Sequence, residues 1–188
     1  MIDIQTTISK CKENDRVAQK NFYEHYFNFL MSICYRYQKN YDDAVFLLNS
    51  GFVKIMSSLS NYDTRKPIEP WMKVIMINVA IDEFRKNKKY QENNVLLDDL
   101  DWNKLSDESK SIDENAVIDT EDYWNLVRNI PDPAGTVFNL FVVDDFGHKE
   151  IAERLKISER SSKRYLRQAR EWLLRKIKLN HVSIKQYG

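Results

Sequence analysis

The sequence predicts an all-α protein: two helical domains joined by an acidic, flexible linker, the C-terminal domain a helix-turn-helix. Three observations carry this. Apolar residues recur at intervals of three and four along most of the chain, and no period-two alternation is long enough to build a sheet. Four Gly and four Pro in 188 residues are too few for a turn-rich β architecture. Charge is also segregated. The net charge of +1 hides eleven Asp/Glu against two Lys over 91–123, and twelve Lys/Arg against four Glu over 146–188. The expected boundaries are 1–90, 91–119 and 120–188.

Taken in order, 1–14 is polar and reads as frayed, or as a short helical turn. Asp15 can cap a helix over about 16–38, where Phe22, Tyr26, Phe29, Leu30, Ile33, Cys34 and Tyr37 recur at helical spacing and read as core. Asn40 to Asp42 breaks the pattern and opens a helix over about 43–59, with Ala44, Leu47, Leu48, Phe52, Ile55 and Met56 as its buried stripe and Gly51 inside it. NYDTRKPIE (61–69) is a loop. Pro70 suits the first turn of the next helix, about 70–89, because its missing N–H is no loss there. Trp71 on that helix reads as core. Cations at its end, Arg85 and Lys86 among them, suit the helix dipole; with Arg65, Lys66 and Lys73 they also make a second surface able to meet a phosphate backbone. From 90 to 119 the chain is acidic without a clear period, with room for one short helix around Trp102. It reads as a solvated tether, or else as a segment that folds back on the basic domain as a DNA mimic. Helices resume over about 120–128 and 134–143, the second facing the helix-turn-helix through Val137, Phe138, Leu140 and Phe141.

FGHKEIAERLKISERSSKRYLRQAR (146–170) reads as two helices and a tight turn. The first, about 148–156, buries Ile151, Ala152 and Leu155, and Ile157 plugs the junction. Ser158 is a good N-cap for the second, since its hydroxyl can accept from an unpaired N–H of the first turn. The small Ala152 lets the helices cross closely. The second helix runs from about Glu159 beyond Leu174, with Arg160, Lys163, Arg164, Arg167 and Arg170 off its apolar side. Alone, such a face fits either a groove flanked by phosphates or plain solvent; the helix-turn-helix frame before it favours DNA. His148 reads as a helix-start surface residue able to touch phosphate.

Little points to an enzyme. His25, His148 and His181 lack metal-ligand spacing, and no Gly-rich phosphate loop or nucleophile motif occurs. No cofactor or metal is expected. Cys11 and Cys34 are too few for a disulfide framework. With neither signal core nor membrane-spanning apolar run, the chain is expected to be cytoplasmic, free of membrane insertion and monomeric when unbound.

These residues resemble the RNA polymerase sigma factors of the sigma-70 family, extracytoplasmic-function type, over nearly the whole chain. Trp71, Ile75, Asn78, Asp82 and Arg85 match the family pattern of the N-terminal half. Gly147, Glu150, Ile151, Ala152, Leu155, Ile157, Ser158, Lys163, Ala169 and Arg170 match that of the C-terminal half. The resemblance implies a promoter-specificity subunit whose partners are core RNA polymerase, promoter DNA and an anti-sigma factor. His148, Ser158, Arg160, Ser161, Lys163, Arg164 and Arg167 would meet the minus-thirty-five element. Arg65, Lys66, Lys73, Asn78, Arg85 and Lys86 would recognise and melt the minus-ten element, and Asp43, Leu47, Leu48, Asn49 and Phe52 would bind the polymerase clamp. The alternative is a stand-alone helix-turn-helix regulator whose N-terminal half is an interaction module. Two departures stand out. Where the family's clamp helix reads D-A-E-D-x-x-Q-E-x-F, this chain has Val45 and Phe46 for two acids and Asn49-Ser50 for Gln-Glu. That makes the expected contact more apolar. Arg160 also stands where the family has a small residue near the start of the recognition helix.

Overall fold

The N-terminal stretch that reads as frayed, or as a short helical turn, holds a packed helix of nine residues. The structure, a computed structural model, describes residues 3–94 and 119–186, with side chains over 3–87 and 119–177. Helix α1 spans Ile4–Lys12. Asp3 caps it by accepting from the Gln5 N–H at 3.2 Å, and Thr7, Ile8 and Cys11 are buried. Three buried positions on one side suffice to hold a helix that would be marginal in water.

The structure divides into two units, Met1–Glu83 and Phe84–Gly188. In the first, α2 (Arg16–Tyr37) is capped by Asp15, whose carboxylate accepts from Val17 and Ala18 N–H at 2.8 and 2.9 Å. Phe22, Tyr26, Leu30, Ile33 and Cys34 are buried as their spacing predicts; Met31 joins them, while Phe29 and Tyr37 are half-buried. Burial pushes the Cys34 thiol up to about 12, so it stays protonated at neutral pH. Asn40 caps α3 (Tyr41–Ser58) at the Asp43 N–H, 2.8 Å.

A 3-10 turn, Leu59–Asn61, and a loop lead into α4, Ile68–Asn94. The helix starts before Pro70, which the first turn tolerates, and continues past 89, so 90–94 is helical where a linker was expected. The rest of the linker and the helix expected around Trp102 lie outside the described residues. Gly51 sets the approach of α3 to α4: a Cβ there would overlap Met76 Sδ and Cε. Lys54 and Asp82 tie the same helices by an ion pair at 3.1 Å.

Beyond the end of α4, the described residues of the second unit form α5 (Thr120–Arg128), α6 (Ala134–Phe138), a π-helical turn (Asn139–Val143), α7 (His148–Leu155) and α8 (Glu159–Gln186). The helix expected over 134–143 is thus present, its second half π-helical rather than α-helical. Asp144 N–H donates to the Asn139 carbonyl at 3.0 Å and Phe146 N–H to that of Leu140 at 2.9 Å, widening the last turn. Gly135 allows the chain to fold tightly ahead of α6, since a Cβ would lie 2.7 Å from the Ile130 carbonyl oxygen. The core joins Val137, Phe138 and Leu140 to Ile151, Ala152 and Leu155 of α7 and Leu166, Ala169 and Leu173 of α8.

Candidate nucleic-acid and protein interfaces

The turn between α7 and α8 is fixed by backbone chemistry. Lys156 ends α7 in the left-handed region (φ 54°), and Ile157 N–H returns to the Ala152 carbonyl at 3.0 Å. Ile157 is half-buried rather than a full plug. The Ser158 hydroxyl accepts from Ser161 N–H at 3.0 Å, the cap that the sequence predicts, and bonds the Ser161 hydroxyl at 2.8 Å.

Ser162, Leu166, Ala169 and Leu173 face inward on α8. Arg160, Lys163, Arg164 and Arg167 are exposed and share one face at spacings of three and four. Lys163 pairs with Glu159 at 2.7 Å and Arg167 with Glu171 at 3.7 Å, and the Arg164 guanidinium lies 5.0 Å from the Tyr165 ring centre. Such exposed ion pairs contribute little and can be exchanged for phosphates. His148 is turned instead toward its own fold: it stacks on Phe141 and its Nδ1 lies 2.9 Å from Ser162 Oγ.

In the first unit, the loop before α4 is closed by its own side chains. The Tyr62 hydroxyl donates to the Lys66 carbonyl. Asp63 accepts from Arg65 Nε and Nη2 at 2.8 and 2.9 Å and from the Arg65 N–H at 3.1 Å. Hydrogen bonds from Arg65 hold the Asp63 carboxyl below its usual range. Gln5 of α1 donates to the Thr64 carbonyl at 3.3 Å.

Asn61, Tyr62, Asp63, Lys66, Pro67, Pro70 and Trp71 line an open, mainly apolar pocket of about 440 Å³. Trp71, expected in the core, is half-exposed, with its ring centre 5.1 Å from that of Tyr62. Asn78 and Arg85 share a face of α4 with Trp71, with Lys86 at its edge. Lys73 does not: it stands about 140° round the helix from Asn78, on the arc of the buried Ile77 and Ala80.

On α3 the structure bears out most of the buried stripe that the spacing predicts and corrects two of the clamp contacts that the resemblance implies. Leu47 and Leu48 were expected at a partner surface, yet they are 2% and 0% exposed. With Ala44, Gly51 and Ile55 they form the packed side. Asp43 and Asn49 are exposed, Asn49 accepting from the Tyr23 hydroxyl at 3.0 Å. Phe52 is half-buried, edge-on to Tyr23 at 4.9 Å. The outward apolar residues are Phe46 and Val53, 64% and 67% exposed. A signal for them exists: the two are seven apart and off the 44–48–51–55 stripe.

Among the described residues no helix is long and apolar enough to cross a membrane. Two family models match the chain, "Sigma-70 region 2" over residues 22–90 and "Sigma-70, region 4" over 121–173. The ECF RNA polymerase sigma factor SigW of Bacillus subtilis (strain 168) is 24% identical over 181 residues, covering 93% of this chain and 97% of its own length. The RNA polymerase sigma factor SigV of the same organism is 29% identical over 121 residues, 64% of this chain and 68% of its own. Among solved structures, the sigma factor RpoE in complex with the anti-sigma factor NepR from Bartonella quintana matches with a TM-score of 0.47 and 16% identity, over 84% of this chain and 98% of that one. With both regions matched in order and spanning well over half of its length, the chain belongs to the sigma-70 family, extracytoplasmic-function type, a family of non-enzymatic DNA-binding factors for promoter-specific transcription initiation.

Proposed function

We propose that this chain directs core RNA polymerase to promoters with spaced upstream and downstream elements. α8 reads the minus-thirty-five element in the major groove through Arg160, Lys163, Arg164 and Arg167, with Ser158 and Ser161 at the capped end. The observation that carries this is the exposed cationic face on a capped second helix of a helix-turn-helix. The loop 62–67 and α4 recognise and melt the minus-ten element. The pocket beside Trp71 is apolar, and a base taken from the stack needs such a surface to repay unstacking. Lys66, Asn78, Arg85 and Lys86 stand around that face, and Arg65 joins them by exchanging Asp63 for phosphate. The outer face of α3 docks on the polymerase clamp through Asp43, Phe46, Asn49 and Val53, with Phe52 beneath.

The test is Arg164→Ala combined with Arg167→Ala. Promoter binding by the reconstituted holoenzyme should weaken, with a salt dependence shallower by about one unit for each phosphate that is no longer neutralised, while association with polymerase is unchanged. Unchanged promoter binding at matched salt would refute the assignment of the reading face.

A further inference from the structure

Three elements of the C-terminal unit meet at one imidazole. The ring of His148, the first residue of α7, lies over Phe141 of the π turn, centres 4.4 Å apart and planes 23° from parallel. Its Nδ1 lies 2.9 Å from Oγ of Ser162 on α8. Ser162 is fully buried, and among the described residues its hydroxyl has no other partner. A buried hydroxyl is costly if its hydrogen is left unbonded. The hydroxyl therefore donates and Nδ1 accepts, which places the ring's own hydrogen on Nε2.

We propose that His148 is a positioning residue for α8: its neutral ring ties the π turn to Ser162 and so fixes the rotation of the first turns of the helix. Arg160, Ser161, Lys163 and Arg164 flank Ser162 in sequence, so whatever holds Ser162 sets the direction in which they project. The inference rests on the reading of α8 as the DNA-reading helix, and it removes His148 from the direct phosphate contacts.

The charged groups facing the ring are Lys163, Glu159 and Arg170 of α8. Burial first, then Lys163 and Arg170 against the opposing Glu159, hold the ring below the usual histidine range. Protonation would put a hydrogen on Nδ1, facing the hydroxyl hydrogen. Ser162 would then have to turn and lose its acceptor. The tie weakens as pH falls, opposite in sign to the DNA attraction that a simple added cation would bring.

The test uses the full chain with isotope-labelled histidine nitrogens, followed by NMR. His148 should be the Nε2–H tautomer and titrate below about 6.5. Ser162→Ala should raise that value and lower the exchange protection of the 161–163 amides. In the wild type that protection should fall as acidification protonates His148, whereas His148→Phe, which keeps the stack, should show no such acid-dependent loss. On a mixed-sequence DNA duplex, wild-type affinity should drop relative to His148→Phe as pH falls through the His148 titration that NMR records.

An Nδ1–H tautomer, or first-turn protection indifferent to the titration, overturns the proposal. So does a wild-type affinity that rises relative to His148→Phe in acid, which would make His148 a phosphate contact. If His148→Phe does not fold, Ser162→Ala carries the tautomer and protection readouts, since it removes a single oxygen. Protection and tautomer as expected, with no duplex binding at any pH, would uphold the tie and refute the DNA reading of α8.

Discussion

Phe46→Ala should weaken binding to core RNA polymerase by about thirtyfold without loosening the fold. Phe46 is 64% exposed, and Val53, seven residues on along the same face of α3, is 67% exposed. A phenylalanine carries about 150–250 Å² of surface, so a partner helix covering the exposed part would remove roughly 130 Å² from water. At about 25 cal/mol per Å² that is worth about 3 kcal/mol. Incomplete coverage and ordering of the side chain take about a third of it, and about 2 kcal/mol corresponds to about thirtyfold in Kd. The free protein loses little, because the side chain is mostly in water before and after.

Leu48→Ala is the control. With no exposed surface, Leu48 should cost about 2–5 kcal/mol of stability and affect polymerase only through the fold. The assay pairs a Kd for immobilised core polymerase with a thermal melt of each variant. Wild-type affinity in a well-folded Phe46→Ala protein, or destabilisation by Phe46→Ala as large as that of Leu48→Ala, would refute the assignment of the outer face.

Two further outcomes are expected from packing and charge. Gly135→Ala should destabilise by about 3 kcal/mol, the upper end for overpacking, because the new methyl meets a backbone carbonyl that cannot step aside. Gly51→Ala should cost about 1 kcal/mol or less, since the obstacle is the flexible end of Met76 and the helix regains about 1 kcal/mol of propensity; denaturant unfolding of the two variants ranks them, and equal costs would contradict the distinction. Stability of the α7–α8 pair should also fall in acid. His148 is held below its ordinary value chiefly by burial, so the folded chain favours the neutral ring; that contribution is complete above about pH 6.5 and is lost as pH falls from there toward the lower folded value. Amide protection at Ile151 and Leu166 should show this loss in wild type and not in His148→Phe.

The helices that were legible in the sequence are those with strong local punctuation. Asp15 and Ser158 cap where their side chains predict, and Thr120–Arg128 begins and ends as its spacing and the following Ile130-Pro131 require. What was not legible depended on partners. α1 has too few apolar residues to announce itself and is held by the surface it lands on. The π turn leaves no pattern in composition, only a shifted hydrogen-bond register.

α3 is the clearest case. AVFLLNSGFVKIM is apolar around most of the helix. Spacing marks Ala44, Leu47, Leu48 and Ile55 for the covered arc, as found. It does not single out the apolar residues left outside, and the resemblance assigns Leu47 and Leu48 to a partner surface as well. Leu47 and Leu48 went inside, and Phe46 and Val53 were left out. On the surfaces proposed to face DNA, the exposed Arg160, Lys163, Arg164 and Arg167 follow directly from helical spacing. The Asp63–Arg65 clasp and the His148–Ser162 tie became visible only in three dimensions, because both are side-chain bonds that no spacing rule specifies.

The most direct measurement of the central claim is transcription from fragments of the native genome by core polymerase of the same organism, with and without this chain. RNA 5′ ends that appear only when the chain is added, and that share one element about ten and another about thirty-five base pairs upstream, are the expected result; half-sites spread over more than one face of a duplex need two separate reading surfaces. Their loss with Arg164→Ala/Arg167→Ala, while polymerase is still retained, would place the upstream element on α8. Transcription indifferent to the chain, with no retention of polymerase, would contradict the account and leave a DNA-binding protein that acts alone.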